Sequence, residues 1–174
     1  MFKYIGTNKK IHKAVKMAND ASLSLFVIKS LRSVENFDMC DCKGEYIANQ
    51  FADFLVDNEI SIKVYYPKWR WSKAIGYFSK DNPLQINFNG YKVNNLYEEN
   101  IVSLAYHEAG HAWDYFSECN CNHGDNSSKG KECTFQYYLN HLVDAYFEFN
   151  TSQTEVMQMH SNLSWWQRLL RWLF

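Results

Sequence analysis

Two histidines four residues apart, with a glutamate directly after the first, are the residues in this chain best suited to chemistry: His107-Glu108-Ala109-Gly110-His111. On a helix, positions i and i+4 share a face, so both imidazoles can reach one ion. Imidazole suits zinc, and a catalytic zinc takes three protein ligands and leaves its fourth position to water. The metal lowers the pKa of that water towards about 7. Glu108, between the two histidines, is then the general base, and it can later pass the proton to a leaving amine. The pattern points to metal-assisted hydrolysis of peptide bonds with one Zn2+ per chain. The same pentapeptide also arises by accident on ordinary helices, so its surroundings have to carry weight.

Those surroundings agree. At roughly 100° per residue, Ile101, Leu104, Ala105, Ala109 and Ala112 define an apolar side. His107 and His111 lie on its border and Glu108 points into it. A carboxylate aimed at an apolar face is costly unless something compensates, and a metal with its water would do so. Asp114 falls almost directly above His107 on the wheel and is the expected partner of that ring. A third ligand is still needed. His123 follows in a polar loop, with Gly124 after it to permit a tight backbone. Asp144, Glu148 and His141 further on are the alternatives, and Cys121 is near enough in sequence to compete. Tyr137 and Tyr138 follow the loop; either could stabilise an oxyanion or simply pack.

The elements that must position these residues can be read from periodicity. Lys9 to about Asp20 has helical spacing through Ile11, Ala14, Val15 and Ala18, whereas Ser22 to Val34 is apolar and ambiguous between helix and strand. Glu45 to Asn58 is helical again. The period then changes to two: Ile60, Ile62, Val64 and Tyr66 alternate as a half-buried strand ended by Pro67. Trp69 to Phe78 suggests a second strand region. Leu84, Ile86 and Phe88 form a third, closed by the turn signal Asn89-Gly90. A long helix should run from about Asn95, its cap, to Glu118, with Glu98 and Glu99 in its first turn. A polar loop, Cys119 to Cys133, leads to another helix from about Thr134 to Phe149. Helices, a small sheet and further helices make the class α+β.

The chain is 174 residues long, enough for one compact domain, and 47% hydrophobic with 17% aromatic residues, which argues against global disorder. A net charge of -1 without a long basic run gives no footprint for nucleic acid. The first ten residues lack the apolar stretch of a signal peptide, and no segment approaches the ~20 apolar residues of a membrane span, so a cytoplasmic location is expected. The cysteines form two Cys-x-Cys pairs, Cys40/Cys42 and Cys119/Cys121, with Cys133 alone. If the fold joins the pairs they could bind a structural zinc or form disulfides; in the cytosol, free thiols are the ordinary state.

From Ile60 to Tyr138 the sequence resembles the SprT-like zinc metallopeptidases. The likeness consists of the alternating strand Ile60 to Tyr66, then Trp69-Arg70-Trp71-Ser72-Lys73-Ala74-Ile75-Gly76-Tyr77-Phe78. It continues through Pro83-Leu84-Gln85-Ile86-Asn87-Phe88-Asn89, the His107–His111 motif, and the pair His123-Gly124. The resemblance implies a zincin-like fold, with a small β-sheet packed beside an active-site helix. It also implies that His107, His111 and His123 bind zinc and that Glu108 is catalytic. Where that family commonly has an aromatic residue soon after His-Gly, this chain has Asp125-Asn126-Ser127-Ser128. It also lacks a four-cysteine zinc ribbon and a basic tail, so the DNA-linked role of some relatives does not carry over.

The expected organisation is one zincin-like domain, residues 1–162, followed by an amphipathic aromatic tail, residues 163–174. The expected partner is a protein or peptide substrate. The tail, with Trp165, Trp166, Trp172 and two arginines, suits a membrane interface, a partner, or the domain's own core. Two other classes fit the same residues: a non-catalytic binding or regulatory protein on a zincin scaffold, and a metal-independent structural protein of a phage or mobile element.

Overall fold

The computed structural model describes residues 1–68, 74–121, 123–124 and 130–162, with residues 153–162 as backbone alone. The order of elements is β1 (Phe2–Tyr4), α1 (Lys9–Ala18), α2 (Ala21–Arg32), α3 (Gly44–Asp57), β2 (Ile60–Tyr65), β3 (Gly76–Ser79), β4 (Asn82–Asn89), α4 (Gly90–Val93), α5 (Glu98–Phe116) and α6 (Phe135–Asn162). This is an α+β fold with a small four-stranded sheet.

The first helices begin where a side chain can satisfy free backbone N–H groups. Asn8 accepts from the amides of Lys10 and Ile11, and Asp20 from those of Ser22 and Leu23. Asp20 resolves the ambiguous run after Ala21 as helix α2, whose buried Leu23, Val27, Ile28 and Leu31 fall on one face. In α3 the inward residues are Ile47, Ala48, Phe51, Phe54 and Leu55. That helix starts at Gly44, a position where a Cβ would collide with the Val34 carbonyl.

The strands lie in the order β1-β2-β4-β3. β1, β2 and β4 are parallel, with Phe2 opposite Ile60 and Ile62 opposite Ile86; β3 is an antiparallel edge, with Phe78 opposite Ile86. The three-residue strand β1 carries too little alternation to stand out in the sequence. Asn89-Gly90 ends β4, as its turn signal implies. β4 runs parallel to β2, and Asn89 caps α4 by accepting from the Tyr91 amide.

α5 is the central helix: it packs against α6, α1, β3 and β4. It begins at Glu98 rather than at a cap on Asn95, whose side-chain amide instead donates to the Tyr91 carbonyl. Glu98 and Glu99 do occupy its first turn, where they suit the helix dipole. Tyr106, fully buried, donates to the Ala18 carbonyl at 3.1 Å, and burial pushes its hydroxyl pKa up to about 12. Behind the second half of α5, the rings of Phe51, Trp113 and Phe135 pack together with centroids 5.0–6.3 Å apart. This apolar block fixes the start of α6 against the end of α5, where the histidines lie. Among the described residues no helix is long and apolar enough to cross a membrane. The tail, residues 163–174, lies outside the described residues.

Candidate metal centre

His107 and His111 project from the same face of α5, as their spacing requires, and the chain after α5 returns His123 to them. One ligand atom from each of the three histidines falls in a group whose members all lie within 4.8 Å of one another. Ring centroids are 5.0 Å apart for His107 and His111, 4.7 Å for His111 and His123, and 5.3 Å for His107 and His123. The Nε2 atoms of His111 and His123 face each other at 2.8 Å. Three nitrogens around a tetrahedral zinc, with Zn–N near 2.0–2.1 Å, would stand about 3.3 Å apart. The donor set therefore fits a small divalent cation in both number and kind.

The two helix rings are also in the right chemical state. Burial depresses the pKa of His107 to about 4 and that of His111 to about 3, with neighbouring histidines adding to each shift. Both rings are thus neutral near pH 7 and have lone pairs to give. His107 Nδ1 lies 3.1 Å from the backbone carbonyl oxygen of Gln136. A carbonyl can only accept, so Nδ1 carries the proton and Nε2 is left as the ligating nitrogen.

Asp114 does not serve His107. It accepts from the Cys121 amide at 2.6 Å and from the Ser117 hydroxyl at 3.4 Å. Asp114 therefore braces the arm that carries His123, because the chain turns back at Ser117 and brings Cys121 over the end of α5. Gln136 supports the same arm: its side-chain Nε2 donates to the Cys121 carbonyl at 2.7 Å.

Glu108 is 5% exposed, and burial raises its carboxyl pKa to about 7 while a hydrogen bond from the backbone of Phe78, on β3, opposes that rise. A carboxyl poised there can both take and give a proton at neutral pH. The ring of Tyr137 lies 4.8 Å from that of His107 and 4.9 Å from that of His123, whereas Tyr138 packs on Phe37. Of these two tyrosines, Tyr137 is the one that borders the histidines.

No protein-family model, curated protein or solved structure matches this chain. The centre is read from its own geometry.

Of the other proposed ligands, Asp144 bonds to Ser103, His141 and Glu148 are exposed, and none of the three joins the histidine group. Cys121 is committed elsewhere: Cys40–Cys121 and Cys42–Cys119 are disulfides, and Cys133 is free and exposed. The free-thiol expectation fails for those four because the fold sets the two Cys-x-Cys segments side by side, with the Asp41 amide bonded to the Cys119 carbonyl at 2.8 Å. Sequence reasoning also missed Gln136. A signal for it existed: it sits on the buried stripe of α6 with Leu139 and Val143, where a lone amide needs a reason.

Proposed function

We propose that this chain is a zinc metallopeptidase with a zincin-like fold, of the SprT-like kind its sequence resembles. One observation carries the reading: a buried glutamate with a pKa near neutrality sits on the same helix as His107 and His111, two neutral members of a convergent group of three imidazoles. His107, His111 and His123 hold the ion. Bound zinc supplies Lewis acidity, which polarises a carbonyl and makes water nucleophilic near neutral pH. Glu108 takes the proton from the attacking water on its carboxylate and delivers it to the departing amide nitrogen. The buried wall around it, from β3 and α5, keeps bulk water from competing for that proton. The substrate is a protein or peptide lying extended along β3, the edge of the sheet beside Glu108, where backbone groups can align it.

Two measurements test this. Metal content of purified wild type should be about one zinc per chain, and should fall in His111→Ala and His123→Ala. Wild type should cleave an unfolded protein substrate that Glu108→Ala leaves intact. Absence of metal after zinc is supplied would overturn the reading, as would undiminished cleavage by Glu108→Ala. A zinc-loaded protein that cleaves nothing would point to a binding protein on the same scaffold.

A further inference from the structure

The third ligand is held differently from the other two. His107 and His111 are fixed by α5, but His123 lies on an arm outside regular secondary structure, leaving α5 at Ser117. The arm bends through Asn120 at φ 48° and Gly124 at φ 73°. Its two cysteines flank Asn120, and both are cross-linked to the segment Cys40–Cys42. Those bonds join positions 81 and 77 residues apart in sequence. The second segment is itself anchored to the core. Phe37 packs its ring 5.5 Å from that of Phe135, and the Gly44 amide donates to the Glu35 carbonyl. The same segment grips the far end of the loop, where the Asp38 amide donates to the Cys133 carbonyl at 3.0 Å. Residues 38–42 therefore clamp both the entry to and the exit from the loop that presents His123.

We propose that the two disulfides gate the metal centre: oxidised, they hold His123 on the helix histidines, and reduction by a dithiol releases the arm and weakens metal binding. This rests on the reading of the three histidines as a metal site. Cys119 and Cys121 are buried, whereas Cys40 and Cys42 are only half-buried. A dithiol therefore reaches the Cys40 and Cys42 sulfurs first. Its thiolate attacks that sulfur, the S–S bond breaks, and the Cys119 or Cys121 sulfur leaves and takes up a proton. The second thiol of the reagent then displaces the cysteine from the mixed disulfide. Each bond thus consumes two electrons and two protons, leaves two cysteine thiols, and converts one dithiol to its cyclic disulfide. The hydrogen bond that the Cys121 carbonyl accepts from Gln136 and the one that the Cys121 amide donates to Asp114 remain, so release means a looser arm rather than an unfolded domain.

The test is zinc affinity, by competition with a chromophoric chelator, for oxidised wild type and for wild type reduced with a dithiol that is then removed without air. Reduction should weaken binding about 10-fold or more, the size of effect typical for groups that orient metal ligands. In His123→Ala, which lacks the gated ligand, reduction should change affinity little. A variant with all four cysteines changed to serine should behave as reduced wild type; if it does not fold, reduced wild type checked by far-ultraviolet circular dichroism decides alone. Equal affinity in both redox states would overturn the gate and leave the metal centre standing. So would an equal loss in His123→Ala, or five free thiols in protein purified in air. A second zinc taken up by the reduced protein would make the four sulfurs a metal site and not a gate. Oxidised wild type that binds no zinc would remove the metal centre itself.

Discussion

His107 donates from Nδ1 to the backbone carbonyl of Gln136, 3.1 Å away, across the packing of α5 on α6. The same glutamine reaches the other way with its side chain, to the carbonyl of Cys121 on the arm that brings in His123. One residue of α6 thus sets the tautomer of a helix histidine and the position of the loop histidine. Both halves of the site depend on how α6 docks.

Gln136→Leu separates these two tasks. The backbone bond to His107 survives, but the Cys121 carbonyl loses the donor it has among the described residues. An unsatisfied buried carbonyl costs about 1–3 kcal/mol. The variant also removes a buried acceptor, Gln136 Oε1, that has no partner among the described residues, which offsets part of that cost. We expect a small fall in melting temperature and a larger effect on zinc, with affinity down about 10-fold. A chelator competition and a thermal melt on the same samples check this; unchanged affinity would show that the Cys121 carbonyl does not position His123.

Glu108→Gln keeps shape and removes charge. In the metal-free protein the folded-state pKa of Glu108, about 7, lies above its ordinary value of 4.5 because of burial. The folded chain then holds a proton that the unfolded chain has lost, so the stability associated with that proton is present below 4.5 and disappears as pH rises through 7. The cost of burying the carboxylate is of order 3 kcal/mol at most above pH 7. Chelator-treated Glu108→Gln should therefore be more stable than wild type at pH 8 and similar to it at pH 4.5. Urea melts at the two pH values measure the difference. The zinc-bound variant should retain its metal and hydrolyse nothing.

Removing the metal should expose the opposite pH dependence of the histidines. Folded His107 and His111 titrate at about 4 and about 3, against an ordinary value of 6.5, because burial disfavours their charged forms. Between about 4 and 6.5 the unfolded chain binds more protons than the folded one, so their contribution is whole above 6.5 and is lost as pH falls. Two histidines outweigh the single opposing Glu108. Metal-free protein should thus lose stability on acidification from pH 6.5 to 5, at about 1.4 kcal/mol per pH unit for one net proton. Zinc should restore it, less so as protons compete for the ligands. A metal-free protein equally stable at pH 5 and 6.5 would mean the rings are not buried as neutral imidazoles.

How much of this was legible in the sequence depends on the range of the interaction. The i, i+4 histidines and the buried face of α1 follow from helix period alone, and β2 and β4 from alternation. Local signals fell short where a distant partner decided the outcome. Asn89-Gly90 ends β4 as its turn signal implies, but nothing local tells that β4 pairs in parallel with β2 or that a helix follows. Asp114 has the right spacing to orient His107, but the arm folds Cys121 over it and claims its carboxylate. The true partner of His107 is a backbone carbonyl, to which any residue type at 136 contributes equally, so nothing in the sequence marks it. Pairing of Cys40 and Cys42 with Cys121 and Cys119 likewise depends on the return of a loop across about half the chain.

Gly110, directly before the second motif histidine, gives the sharpest test of the α5–α6 contact. A Cβ at that position would stand 2.9 Å from Leu139 Cδ1, 3.3 Å from Gln136 Cγ and 3.4 Å from Phe135 Cε1, all on α6. Leu139 and Phe135 are fully buried, so neither side chain has open space to retreat into. In an exposed helix Gly→Ala would add about 1 kcal/mol of stability through helix propensity. Overpacking a filled interface costs about 1–3 kcal/mol and shifts backbone. Here the backbone that must shift carries the Gln136 carbonyl, so the strain reaches His107 directly. We expect Gly110→Ala to lower stability by about 1 kcal/mol net and to weaken zinc several-fold more than its effect on folding would suggest. Gly110→Leu should fail to fold. If Gly110→Ala instead raised the melting temperature and bound zinc like wild type, α6 would not be seated against the motif tightly enough for Gln136 to govern the ligand.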